Sequence, residues 1–355
     1  MKRPFRSMLM ATALLVAGGT VSAQQAAQQS LDTLIAAAKK EGTVNSVGMP
    51  PDWANWKQSW AAMESRYGIT HQDTDMSSAQ EIAKFDAEKS NASADIGDVG
   101  HSFGPIAVAK GVTQAYKPST WNEIPAWAKD ADGHWMLAYT GTMAFISNNK
   151  LVKNPPKNWK DLLSGTYRVT VGEVGVASQA NSAVLAAALA FGGNEKNLAP
   201  AYKLFAELAR QGRLSLTNPS IANMEKGEVE VALLWDFNAL SYRDKIDASQ
   251  FTVSIPQDGS LVAGYTTIIN KHAKHPNAAK LMRELIFSDE GQINLARGHA
   301  RPIRSHVVMP KDVQDKMLPA AQYQNSKPIQ DFAAWEKTTR AIPRQWQEQV
   351  MMFNK

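Results

Sequence analysis

The chain has 355 residues, 44% of them hydrophobic, a formal net charge of +5 and no cysteine. The length allows two domains, and the lack of cysteine excludes a disulfide framework, a thiol nucleophile, thiolate metal ligands and a lipid-modified cysteine. The charge makes no case for nucleic-acid binding, because three of the basic residues, Lys2, Arg3 and Arg6, lie in a segment expected to be removed, which leaves a net +2.

That segment, residues 1–23, reads as a secretory signal peptide. A basic start leads into an apolar run, Met8 to Ala17, and then into the small-residue signal Val21-Ser22-Ala23. The run is too short to span a bilayer, so export through a cleaved signal is expected.

From there strand–helix units follow one another. Leu31–Lys40 is an amphipathic helix stopped by Gly42, and Thr43–Val47 is a strand. A helix is expected from about Asp52, with Trp53, Trp56, Trp60, Met63 and Tyr67 along one stripe. That stripe suits core packing, with Trp53 the member placed to face a cleft. Ile69–Met76 is a strand that runs straight into Ser77-Ser78-Ala79-Gln80-Glu81. Ser78 with Glu81 forms a capping box, and Ser77 with Gln80 is a second register. Capping explains both serines; a helix N-terminus beside two hydroxyls also suits a phosphate, phosphonate or carboxylate. Ala94–Val99 is the next strand, with Asp98 at its carboxyl end. His101, just beyond, suits a capping or surface role.

Trp135–Ser147 suits two consecutive strands broken at Thr140-Gly141-Thr142, and a domain crossing is expected near 145. Tyr167–Val171 then leads through a small-residue loop carrying Ser178 and Gln179 into an Ala-rich helix, Asn181–Phe191. Further helices are expected over Ala199–Gln211 and Pro219–Lys226. The strand Val229–Trp235 ends in Trp235-Asp236-Phe237-Asn238. In open α/β sheets ligands lie at the carboxyl ends of strands, so Trp235, Asp236 and Asn238 are candidates to reach a cleft. The plainer reading buries the aromatics and makes Asp236 or Asn238 a helix cap. Phe251–Ile255 and Leu261–Ile269 read as strands returning to the first domain. Asp331–Phe353 is expected to be helical, broken at Pro343, with Trp335 and Trp346 docked on a domain.

These pieces together resemble the periplasmic solute-binding proteins of ABC importers, the group that includes iron(III), thiamine, polyamine and phosphonate or organophosphate binders. The matching stretches are the signal peptide; Leu31–Thr43; Phe145–Asn149 followed by Pro155–Leu162; Lys226-Gly227-Glu228 before the strand to Trp235; and Ala278-Ala279-Lys280 through Ser288–Gln292. The resemblance implies an α/β fold of the type II periplasmic-binding-protein kind, with two doubly wound α/β domains joined by two crossover strands and closing by hinge motion. The expected division is 24–144 with 260–310, then 145–259, with 311–355 as C-terminal helices packed on the domains. It also implies a transient partner, an ABC permease in the inner membrane. No cofactor, metal, nucleic acid or catalytic residue is expected, and the protein is expected to be monomeric.

The iron(III) members use paired tyrosines where this chain has Trp235-Asp236-Phe237-Asn238, so iron is the alternative ligand and an organic solute the expected one. Trp53, Trp235, Asp98 and Asp236 suit an ammonium group. Ser77, Ser78 and Ser178, with Gln179, suit an anionic one. A zwitterion would use both sets. The contrasting class is an exported α/β hydrolase, but the chain carries no Gly-x-Ser-x-Gly elbow, His-Glu-x-x-His or P-loop.

Overall fold

The computed structural model describes residues 30–354, so the expected signal peptide lies outside the described residues. The strands are β1 Thr43–Val47, β2 Thr70–Thr74, β3 Ile96–Gly100, β4 Thr113–Gln114, β5 Trp135–Asn148, β6 Val169–Thr170, β7 Leu214–Ser215, β8 Val231–Trp235, β9 Phe251–Ser254, β10 Ser260–Asn270, β11 Arg301–Pro302 and β12 Ser326–Pro328. They follow the order β2-β1-β3-β10-β5-β8-β6-β7. β1 runs parallel to β2 and β3, and β6 runs parallel to β7 and β8. Each parallel group needs helical crossovers, which bury both faces and leave all carboxyl ends at one edge. The two edges face each other across a cleft, the type II binding-protein architecture.

One strand links the two sheets. β5 pairs with β10 as far as Thr142, then with β8 from Met143 and with β9 from Phe145. The Thr140-Gly141-Thr142 break expected from sequence is absent, and β5 is continuous over 14 residues. Gly141 is needed for packing: a side chain there would meet the Phe237 ring at 2.7 Å. The helix Phe332–Gln349 likewise runs unbroken through Pro343, whose ring packs over Gly175. Trp335 and Trp346 are buried as expected, Trp346 edge-on to Tyr202 and Phe205 of the Ala199–Arg210 helix. No described helix is long and apolar enough to cross a membrane.

The tryptophan stripe also packs inward, with Trp56, Trp60 and Met63 buried. Its helix starts later than the spacing predicts, at Trp56, after a short turn over Trp53–Asn55 in which Ala54 and Asn55 have positive φ. Gly298 lies against that turn, so close that a side chain there would be 2.6 Å from the Ala54 carbonyl carbon, and Asn55 Nδ2 donates to the Asn294 carbonyl at 2.8 Å. The pinned turn swings Trp53 out of the helix face and toward the cleft.

Candidate functional site

A cavity of about 310 Å³ lies between the two strand edges. Trp53, Ser77, Ser78, Asp98, Ser178 and Gln179 line it, together with Asp75, Gln80, Glu81, Glu173, Asn218, Tyr242 and Tyr265. The first sheet delivers Asp75 after β2, and Asp98 from β3 itself. The second delivers Glu173 and Asn218 from loops after β6 and β7.

Two helices aim their N-termini here. The Ser78–Glu88 helix is capped by Ser77, whose N–H and Oγ both donate to Gln80 Oε1 at 2.9 Å, so the second capping register is the one adopted. Ser78 is thereby freed from capping, and its Oγ accepts the Gly100 N–H at 2.9 Å. The opposite helix begins at Ser178, three residues earlier than the sequence suggests, with Ala177 as an N-cap that supplies no side-chain acceptor. The first-turn N–H groups of such a helix carry a partial positive charge toward an anion.

The lining side chains carry the opposite sign. Asp75, Glu81, Asp98 and Glu173 contribute carboxylates, and the lining includes no Lys, Arg or His. Asp98 is buried; its Oδ2 accepts the Tyr139 hydroxyl at 2.7 Å, and its Oδ1 makes no well-formed hydrogen bond among the described residues, although the Trp56 indole lies near enough to favour the ionised form. Glu81, expected as a cap partner, is instead buried in the space left by Gly48 and Gly97 and accepts the Asp98 N–H at 3.1 Å. Burial raises both carboxyls well above their ordinary range, and the proximity of Asp98 raises Glu81 further. A buried acceptor without a donor costs about 1–3 kcal/mol. Asp98 Oδ1 therefore marks where a cationic donor is worth most.

Aromatic rings close the floor. Trp53 donates from Nε1 to Tyr139 Oη at 2.6 Å and stands edge-on to Tyr265 and Phe237. Burial pushes the Tyr242 phenol up to about 12, with Asp75 and Asp52 adding to it.

Trp235, Asp236 and Asn238 lie behind the cavity wall. The Trp235 N–H and Asn238 Nδ2 both donate to Gln179 Oε1 at 3.1 Å, which orients Gln179, and Trp235 Nε1 donates to Tyr265 Oη at 3.3 Å. Asp236 is buried and fully engaged: Oδ1 accepts the Thr142 N–H at 2.8 Å and the Phe237 N–H at 3.0 Å, while Oδ2 accepts the Tyr323 hydroxyl at 2.8 Å. It therefore ties β5 and the C-terminal segment to the start of its own helix. Asp236→Ala is expected to cost stability, about 1–3 kcal/mol for the donors it strands, and to change affinity little. Thermal melts and titrations on one preparation check this; weakened binding with an unchanged melt would return Asp236 to the ligand.

The residues missed from sequence are Glu81, Asp75, Glu173, Asn218, Tyr242 and Tyr265. Asp75, directly after β2, follows the same strand-end rule that picked out Asp98.

Comparison with known proteins bears on this cleft. The family model for bacterial extracellular solute-binding proteins matches residues 91–333. A Salmonella typhimurium protein named "Putative 2-aminoethylphosphonate-binding periplasmic protein" is 24% identical over 287 residues, covering 79% of this chain and 83% of its own. Among solved structures, the Actinobacillus pleuropneumoniae periplasmic binding protein AfuA, with fructose-6-phosphate bound, aligns with a TM-score of 0.69 at 18% identity, covering 87% of this chain and 98% of its own. A Campylobacter jejuni ferric binding protein aligns with a TM-score of 0.64 at 19% identity, covering 86% of this chain and 98% of its own. At these identities the solved structures speak to the fold alone.

Proposed function

The chain belongs to the family of bacterial extracellular solute-binding proteins, and from that premise we propose that it captures a small zwitterion, an amine bearing a phosphonate or similar anionic group. The observation that carries this reading is the unpartnered, buried Asp98 Oδ1 in a cavity that two helix N-termini also face. The ammonium sits on Asp98 with Glu81 beside it. The anion sits on the first-turn N–H groups of the two helices and on the hydroxyls of Ser78 and Ser178, while Ser77 stays on Gln80 as the cap. A bare anion meets four carboxyl groups with no basic side chain beside them, and each that ionises repels it, so the amine is what admits the anion. The relative named for 2-aminoethylphosphonate supports the same solute class.

In this reading the protein works as a monomer in the periplasm, exported by residues 1–23. It turns over nothing, and it hands its solute to an inner-membrane ABC permease. One lobe comprises 24–144 with 260–310, the other 145–259, and 311–355 packs on both.

Calorimetric titration tests the reading with 2-aminoethylphosphonate, ethylphosphonate, ethylamine and iron(III). Tight binding of the first is expected, with the truncated probes weaker by about 100-fold or more, as for a site left with unpaired buried polar groups. Equal affinity for ethylphosphonate, or tight binding of iron(III) alone, would overturn it.

A further inference from the structure

Gly100 stands where the two lobes meet. It ends β3 in the first sheet, with its N–H on Ser78 Oγ at 2.9 Å. Ser178, at the start of the opposing helix, lies directly over its α-carbon: a β-carbon there would be 1.9 Å from Ser178 Oγ and 2.4 Å from Ser178 Cβ. The second distance matters more, because a hydroxyl can rotate away whereas a β-carbon moves only with its helix. No left-handed backbone demands glycine here, since Gly100 is absent from the positive-φ glycines. The requirement comes from the other lobe.

At the other end of the same interface, Lys245 Nζ of the helix Asp236–Ile246 meets Asp52 Oδ1 of the first lobe at 2.7 Å. Both ends are in contact together, so the described state is closed.

We infer that Gly100 is the positioning residue for closure: its missing side chain lets the Ser178 helix seat on β3 and sets how near the two helix N-termini approach a shared anion. This rests on the reading of the cleft as a solute site, and it adds the residue that fixes the cleft's closed width. One methyl group inserted at such a contact is overpacking, and the lobes relieve it by rotating apart.

The absence of native cysteine makes closure directly readable. Asp52→Cys with Lys245→Cys places a thiol on each lobe where a Lys–Asp contact spans the gap, and the rate at which a short bis-maleimide bridges the two thiols reports the closed population without any solute. Adding Gly100→Ala to that pair is expected to slow the rate by about ten-fold, the effect of an overpacked methyl on a two-state closure. Adding Ser178→Gly as well is expected to restore it, which a general loss of stability would not do. Ser178→Val in the original pair enlarges the contact from the other lobe, is expected to slow the rate as well, and serves if Gly100→Ala does not fold. Unchanged rates in Gly100→Ala, or in Ser178→Val where that variant serves, or no rescue by Ser178→Gly, would overturn the inference. A protein that closes normally yet binds no 2-aminoethylphosphonate would sink the solute reading and leave the role of Gly100 standing.

Discussion

Asp98→Asn is expected to lower the affinity for 2-aminoethylphosphonate by about two to three orders of magnitude while the protein stays folded. Removing one partner of a buried, hydrogen-bonded charge pair costs about 2–5 kcal/mol. The substitution keeps the shape, and the amide oxygen still accepts from the Tyr139 hydroxyl that now reaches Oδ2. What changes is Oδ1, which becomes an NH2 pointing donors at the ammonium and at the neighbouring Trp56 indole. Ligand-free stability should hold or rise, because a buried carboxylate next to Glu81 is removed. Ethylphosphonate, which has no amine, should lose little. A variant that binds the aminophosphonate as tightly as its parent would show that the ammonium lies elsewhere.

The same pair makes binding pH-dependent, and the sign is fixed by the direction of the shifts. Burial holds both Asp98 and Glu81 protonated to higher pH than ordinary carboxyls. An ammonium stabilises the ionised form, so solute uptake releases protons wherever the free site still holds them. Affinity therefore falls as pH drops through the raised range and levels off on the alkaline side. Titration in two buffers of different protonation enthalpy measures the release. In Asp98→Asn that release should shrink, which separates the site's protons from those of the solute.

How the cavity was assembled decides which of its residues the sequence could disclose. Ser77, Ser78, Ser178 and Gln179 were legible because strand, polar turn and helix start are consecutive, and a helix N-terminus is a local property. Asp98 and Trp53 followed from the strand-end rule. Asp236 satisfied the same rule, yet its oxygens are taken by Thr142 and Tyr323, residues 94 and 87 positions away, which no local pattern encodes. Glu81 looked like a capping residue because its spacing from Ser78 was right. It is buried only because Gly48, just past β1, and Gly97, in β3, leave room for it. The continuous β5 has the same origin: Gly141 reads as a break until Phe237 from the second lobe covers it.

Arg283→Met is expected to be the most destabilising of these substitutions and to leave the cleft's chemistry alone. Arg283 is fully buried on the helix Pro276–Ile286 and has no carboxylate partner among the described residues. Its guanidinium instead bridges four backbone carbonyls: Nη1 donates to Tyr116 at 3.0 Å and Gly133 at 2.9 Å, and Nη2 to His134 at 3.3 Å and Thr267 at 2.9 Å. One side chain thus staples the 116–134 connection to β10, which is itself paired with β3 and β5. Methionine fills much of the volume but removes all four hydrogen bonds from the interior, of whose acceptors the Gly133 carbonyl keeps the Tyr116 N–H at 3.0 Å. The fixed fork of the guanidinium is what reaches them together, so Arg283→Lys should recover part of the loss only. A cost of about 3–5 kcal/mol follows for breaking a buried polar network, with a fall in melting temperature on the order of 5 °C or more. Folded Arg283→Met should bind solute like its parent, because Arg283 does not line the cavity. A melting temperature unchanged by Arg283→Met would mean that the carbonyls find other donors and that the 116–134 connection is held by its other anchors: Glu284, which already accepts from the Tyr116 hydroxyl at 2.6 Å and the Ser119 N–H at 3.0 Å, and Arg304, whose Nε donates to Glu123 Oε2 at 2.9 Å.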